Sequence, residues 1–367
     1  NDFDLSINRY KEVVYEEVQY DAPQEILKRM TEFNIYSAFG LAITSDVYLP
    51  ELSKHPNPNA AIERIKITHS DRTSWPALKM SVHSTALVQM SDDDWRLELE
   101  GIGWFRVHQG QHIEWQRWDD SVSDRDLRTF LVSAALGAIM IQRGNLMLHA
   151  TSVVKEGKAV LLLGMPTSGK STLAFCLQEN GWKLLSSEIT HVDSNGLAWP
   201  GVQQIKLWLD ATMELELNRD NLPPVRKGLK RYSIMPTDPT ILNQPIPLST
   251  IYDLVRPKRG EKKEEEKSEP KISTWHIIKQ QRVLLHLRNK AYQPRFYRGM
   301  QKEQQLFMHA ASLAKNFELH RLFLPDDIQE MKRALNNVDL LAPHALSESD
   351  NNNDTESQIK TEAREVQ

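Results

Sequence analysis

The sequence predicts an α/β fold, on three observations. Ala159-Val160-Leu161-Leu162-Leu163 is an unbroken apolar run without alternation, as in a strand buried on both faces. It runs straight into Gly164-Met165-Pro166-Thr167-Ser168-Gly169-Lys170-Ser171-Thr172, which matches G-x-x-x-x-G-K-[ST]. Leu173-Ala174-Phe175-Cys176-Leu177 then carries apolar residues at helical spacing, and Gly181 stands where a helix would stop. The layout expected around this strand–loop–helix unit has three parts. Residues 1–123 form a β-rich N-terminal region, residues 124–342 a domain built on the loop, and residues 343–367 a disordered tail.

The loop residues are suited to holding phosphate. Gly164 and Gly169 allow a turn whose N–H groups point inward onto anionic oxygens. The helix beginning near Lys170 adds the positive end of its dipole. Lys170 would reach the β- and γ-phosphates, and the Ser171 hydroxyl would bind Mg²⁺. A glycine-rich turn without a ligand is the competing reading, and the strand before and helix after argue against it.

Composition narrows the field. The chain has 367 residues, enough for two domains. Its formal net charge is -4, so bulk charge gives no attraction to nucleic acid or membranes. Cys176 is the one cysteine, which excludes an internal disulfide and suits the reducing cytoplasm. Its place on the apolar side of the helix makes it a buried structural thiol. No run of eighteen apolar residues exists, and the acidic start Asn1-Asp2-Phe3-Asp4 is unlike a signal peptide.

Upstream of the loop, Tyr36 to Ile43 and Ile65 to Thr68 read as strands, and Trp95 to Glu100 alternates with period two. Trp104 to Val107 and His112 to Trp115 follow, separated by glycine-bearing turns, while Leu49 to Ala60 is proline-rich loop. His55, His69, His83, His108 and His112 lack the spacing of zinc ligands. Asp124-Arg125-Asp126 opens an amphipathic helix through Ile141, closed by Gly144. Leu146 to Val154 reads as one buried strand, joined to the next through the turn Lys155-Glu156-Gly157-Lys158.

These stretches resemble the HPr kinase/phosphorylase superfamily. The likeness rests on Gln142-Arg143-Gly144, Leu148 to Val153, the phosphate loop and Leu184-Leu185-Ser186-Ser187-Glu188. It is nearest to the HPr-kinase-related bacterial branch, which includes kinases of ribosomally made peptides such as lasso-peptide precursors. It spans about residues 30–340, with support from Ile205 to Trp208, Lys230-Arg231-Tyr232 and Ile246 to Tyr252. The resemblance implies a kinase fold related to phosphoenolpyruvate carboxykinase, with ATP and Mg²⁺ phosphorylating a serine hydroxyl. In that family two consecutive aspartates follow the second strand, one acting as base and a nearby acid helping with metal. Here Ser187-Glu188 occupies that place, and His149 matches the family histidine beside the acid pair.

Glu188 would then serve as base or as metal ligand, and His149 would orient Glu188 or take the proton itself. Their bland readings are a solvated strand-end acid and a satisfied core histidine. Loss of the first acid lowers catalysis without removing it, because phosphoryl transfer depends mostly on positioning and charge neutralisation. On this reading Ser187→Asp should raise transfer. The alternatives are a kinase of a small molecule such as free serine, and a regulator that binds nucleotide without transfer. The expected partner is a small protein or peptide, and a homo-oligomer is compatible with the sequence.

Later segments are plainer. His191 and Asp193 read as turn residues, and one of Arg226, Lys227, Lys230 or Arg231 could reach ATP phosphates or an acidic peptide, although a solvated loop is the default. Arg256 to Lys271 is a mixed-charge excursion. Val283 to Leu287 is a strand or a helix start, and Lys302 to Phe317 is a helix. Pro325-Asp326-Asp327 opens a last helix through Leu335, with the proline in its first turn.

Overall fold

Strands within residues 34–117, among them the alternating run Trp95 to Glu100, build the first of two large sheets among the described residues. The computed structural model describes residues 34–56, 64–78, 83–85, 87–236, 244–255, 272–278 and 281–342. The strands of the first sheet are β1 (Asn34–Ala38), β2 (Leu41–Ser45), β3 (Ser53–Lys54), β4 (Arg64–His69), β5 (His83–Ser84), β6 (Val88–Met90), β7 (Asp94–Leu99), β8 (Gly103–His108) and β9 (His112–Arg117). Their order is β3-β1-β2-β4-β9-β8-β7-β6-β5, with β4 parallel to both its neighbours. Tyr36 to Ile43 is therefore a hairpin and not one strand, because Phe39 and Gly40 both take positive φ and reverse the chain. The mixed-charge excursion from Arg256 to Lys271 lies outside the described residues, and so do the first 33 residues and the tail from 343.

The helix expected over 124–142 forms in two pieces, α1 (Asp124–Phe130) and α2 (Leu136–Gln142), joined by a π-helical turn at Leu131–Ala135. Ser123 caps it through its side chain. Within the π turn the Ser133 hydroxyl donates back to the Thr129 carbonyl, which competes with the helix's own bonds. Leu127, Leu131, Leu136 and Ile139 are fully buried and join the core that backs the first sheet.

The second sheet carries the phosphate loop. Its path runs β10 (Met147–Leu148), β14 (Thr190–Val192), β15 (Leu197–Trp199), β18 (Ile246–Val255), β12 (Lys158–Leu163), β11 (Thr151–Lys155) and β13 (Lys183–Ser186). Strand β20 (Leu319–Phe323) also pairs with β18, in parallel, and β19 (Ser273–Ile278) pairs with β20. Strands β12 and β18 run parallel side by side. On β12, Ala159, Leu161 and Leu163 enter the core shared with the first sheet, while Val160 and Leu162 enter a second core on the opposite face. All five are fully buried, which is why the run shows no polar alternation.

That second core packs against α3 (Lys170–Glu179), which ends before Gly181 as expected. The hairpin β16 (Ile205–Trp208) and β17 (Arg231–Ile234) lies beside it, with α4 (Leu209–Glu214) between. Val283 to Leu287 is helical, within α5 (Gln281–Asn289), followed by α6 (Pro294–Gly299) and α7 (Glu303–Asn316). The helix expected from Pro325, α8 (Ile328–Leu335), starts later than predicted. Asp327 caps it by accepting from the Glu330 amide, so Pro325 stands outside its first turn. Cys176 is buried and its thiol is pushed up to about 12 by burial, in keeping with a structural role. No helix among the described residues is long and apolar enough to cross a membrane.

Candidate active site

Strand β12 delivers the chain to the loop at Gly164, whose φ of +151° and surroundings both demand glycine. A Cβ there would lie 2.3 Å from the Ser168 hydroxyl oxygen. Thr167 and Gly169 also take positive φ, so the loop curls back on itself before α3 begins. Met165, Pro166 and Thr167 are exposed, whereas Ser168, Gly169, Lys170 and Thr172 are buried and Ser171 is half-buried at the first turn. The Ser168 hydroxyl is buried without a hydrogen-bond partner. The Lys170 ammonium donates to the carbonyls of Gly164 and Met165, each at 2.9 Å, so the loop is wrapped around its own lysine. Burial, seconded by the charge of Lys290, brings that ammonium down to about 8.

His149 sits in a break that the sequence did not reveal. Residues 146–154 form two short strands, β10 and β11, and not one. Residues 290–292 dock against the end of β10: the His149 amide donates to the Lys290 carbonyl at 2.8 Å, and the Tyr292 amide to the Met147 carbonyl at 2.7 Å. Gly137 permits this docking, since a Cβ there would stand 2.5 Å from the Tyr292 ring. The docking brings Lys290 to the site. Burial and the nearby Lys170 charge lower the His149 imidazole to about 4, against the opposing pull of Glu188, so it is neutral at physiological pH.

Ser187 and Glu188 follow β13. Ser187 is 1% exposed, its hydroxyl donates to the Gln204 carbonyl, and its amide donates to the Val202 carbonyl at 2.9 Å. The hydroxyl is thus a structural tie. Glu188 takes a φ of +63°, uncommon for a residue with a side chain. Its Oε2 accepts from the Lys206 ammonium at 2.6 Å, and its Oε1 pairs with the Arg231 guanidinium at 2.9 Å. Burial pushes the carboxyl up, but Lys206 and Arg231 outweigh it and hold the group at about 2. Both cations come from the β16–β17 hairpin, where Arg231 lies opposite Trp208 and under its ring at 5.5 Å.

A second carboxylate, Asp253, completes the site. Strand β18 places it directly opposite Leu163, the residue before the loop. It is 7% exposed, and its Oδ1 has no hydrogen bond. Lys290 Nζ is 3.5 Å from that oxygen, and His286 Nδ1 is 3.8 Å from the other. Among the described residues, the carboxylates that bear on Lys170, Lys206, Arg231 and Lys290 here are Glu188 and Asp253. A locally positive site on a chain of net charge -4 is matched to a polyphosphate.

Of the residues singled out from sequence, the structure gathers Lys170, His149 and Glu188 into one electrostatic neighbourhood. Arg231 is the member of the basic stretch that joins them, while Lys227 offers its amide to Asp126 instead. His191 and Asp193 are structural: His191 Nδ1 lies 3.0 Å from the Leu146 carbonyl, and Asp193 accepts from Asn195, Leu197 and Trp199. Sequence reasoning missed Asp253 and Lys290 as site residues and met Lys206 only within a supporting stretch. The one local signal was an acid set within the apolar stretch Ile251 to Val255. No group of three or more His, Cys, Asp or Glu among the described residues is placed to hold a metal ion. A magnesium ion here would depend on Ser171, a carboxylate and phosphate oxygens, which suits that ion's habit of keeping few protein ligands.

No family model matches the sequence, and no curated protein matches it. Among solved structures, the HPr(Ser) kinase/phosphatase from Coxiella burnetii is similar at 12% identity, over 52% of this chain and 94% of that chain, with a TM-score of 0.21. A TM-score that low establishes neither a shared fold nor a shared chemistry.

Proposed function

We propose that this chain is an ATP-dependent kinase that transfers the γ-phosphoryl group to a serine hydroxyl of a small protein or peptide. One observation carries the reading. The loop between β12 and α3 is wrapped around Lys170, and it is faced by more cations than acids. The loop amides and the first turn of α3 would bind the β- and γ-phosphates. Lys170 would leave the Gly164 and Met165 carbonyls for the phosphate oxygens, a stronger charge-assisted partner. Lys290 and Arg231 would add charge against the equatorial oxygens as the bond to the leaving oxygen lengthens.

The residues present fit Mg²⁺, since Asp253 keeps a buried carboxylate oxygen without a hydrogen bond beside the loop. When bound, the ion would draw charge from the β- and γ-oxygens and hold the phosphates in line. In the transfer the serine oxygen bonds to the γ-phosphorus and the bond to the bridging oxygen breaks. The hydroxyl proton goes to the neutral His149 ring, which is better suited to accept it than Glu188. The latter is held at about 2 by its two cations and gains little from protonation.

A second reading, nucleotide binding without transfer, is favoured by the same ion pairs. Glu188 is engaged with Lys206 and Arg231, and Ser187 offers no acid. Incubation with γ-labelled ATP, Mg²⁺ and candidate peptides, with free serine in parallel, separates the readings. Label on a peptide serine supports the proposal. Label on free serine alone makes it a small-molecule kinase, and tight ATP binding with no label anywhere makes it a regulator.

A further inference from the structure

We propose that Asp253 holds the Mg²⁺ of the bound nucleotide, and that Glu188 is a positioning residue that keeps Lys206 and Arg231 in place. The inference rests on the nucleotide-binding reading above and reassigns the metal ligand within it.

Three observations point to Asp253. The first is placement. Residues paired across adjacent parallel strands lie about 5 Å apart, and Asp253 is paired with Leu163, one residue before the loop. Its carboxylate therefore ends beside the turn that receives the phosphates. The second is an unmet demand. A buried carboxylate oxygen without a hydrogen bond is costly, and such groups in native structures mark a role or an absent ion. Lys290 and His286 stand at ion-pair distance and do not supply that hydrogen bond. Lys290 balances charge and leaves Oδ1 able to coordinate. The third is the state of the rival acid. Each oxygen of Glu188 already carries a cation, at 2.6 and 2.9 Å, so taking a metal would strand two ammonium or guanidinium groups. Lys206, with its side chain 3% exposed, has no water to fall back on.

The division of labour also makes electrostatic sense. Glu188 neutralises part of the cationic wall while no phosphate is bound, and gives it a fixed geometry. Asp253, on the strand beside β12, supplies the anion that a divalent ion needs.

The test measures ATP affinity calorimetrically in EDTA and in excess Mg²⁺, for the wild type, Asp253→Asn and Glu188→Gln. The ratio of the two affinities is the metal increment. Asp253→Asn should lose the increment, with a fall of at least ~10-fold in the ratio. Its metal-free affinity should hold or rise, because an anion near the phosphates has gone. Glu188→Gln should keep the increment. The variant Asp253→Asn with Lys290→Met removes the charge imbalance and so guards against misfolding. If Asp253 served only as the counter-ion of Lys290, this double variant would recover the wild-type ratio, whereas a ligand role predicts that the increment stays lost. An unchanged ratio in Asp253→Asn, its recovery in the double variant, or its loss in Glu188→Gln alone would overturn the assignment while leaving nucleotide binding intact. Failure of the wild type to bind ATP at all would overturn the functional reading, and this inference with it.

Discussion

Replacing Glu188 by glutamine should destabilise the unliganded protein and make it more responsive to ATP. The carboxylate is the shared partner of Lys206 and Arg231, and the Lys206 side chain is 3% exposed. Removing one member of a buried pair costs about 3–5 kcal/mol. Glu188 and Arg231 side chains retain 21% and 24% exposure, which admits some screening, so about 2–3 kcal/mol is expected here. For a chain of 367 residues that corresponds to a melting temperature lower by roughly 3–4 °C. ATP would return negative charge to the same two cations, so the rise in melting temperature on adding ATP should be larger for the variant than for the wild type. Differential scanning calorimetry with and without ATP reads both quantities. Unchanged melting without ligand, or a nucleotide shift no larger than that of the wild type, would refute the idea that Glu188 braces the two cations.

Ser187→Asp, which the sequence alone suggests should restore an acid pair and speed transfer, is expected to do the reverse. The hydroxyl is buried against the Gln204 carbonyl, so a carboxylate there would meet an acceptor in place of a donor. The variant should lose about 2 kcal/mol or more in urea unfolding and transfer more slowly. ATP affinity should be flat at neutral pH and weaken above about 8, where unliganded Lys170 loses its proton. Because phosphate raises the pKa of that ammonium in the complex, binding takes up a proton in this range, and affinity falls by up to ~10-fold per pH unit. Lys170→Arg should flatten that dependence, as a guanidinium stays charged. Stability should also decline as pH drops from about 6.5 toward 4, because the unfolded chain protonates His149 there while the fold keeps the ring neutral. His149→Gln should remove that part of the acid sensitivity in melting curves.

The loop was legible in the sequence because its requirements are local. Gly164, Gly169, Lys170 and Ser171 are adjacent in the chain, and β12 is buried on both faces, so its composition carries the signal alone. The break at His149 was not legible. It depends on residues 290–292 docking more than a hundred positions away, which no periodicity around Leu148 can report. Asp253 and Lys290 were missed for the same reason. Their importance comes from β18 lying beside β12 and from α5 ending at the edge of β10, which are facts of topology. Arg231 stood out only as one basic residue among four, and its ion pair from β17 to Glu188, which follows β13, singles it out. The hairpin at Phe39-Gly40 was readable in principle, since a glycine interrupted the run, but the flanking apolar residues masked it.

The central claim is that main-chain amides at the start of α3, together with Lys170, hold the phosphates of ATP. Isothermal titration of Lys170→Ala with ATP addresses it most directly. Loss of one charge-assisted interaction of about 1.5–3 kcal/mol predicts affinity weaker by roughly 10- to 150-fold. Wild-type affinity in that variant would contradict the account.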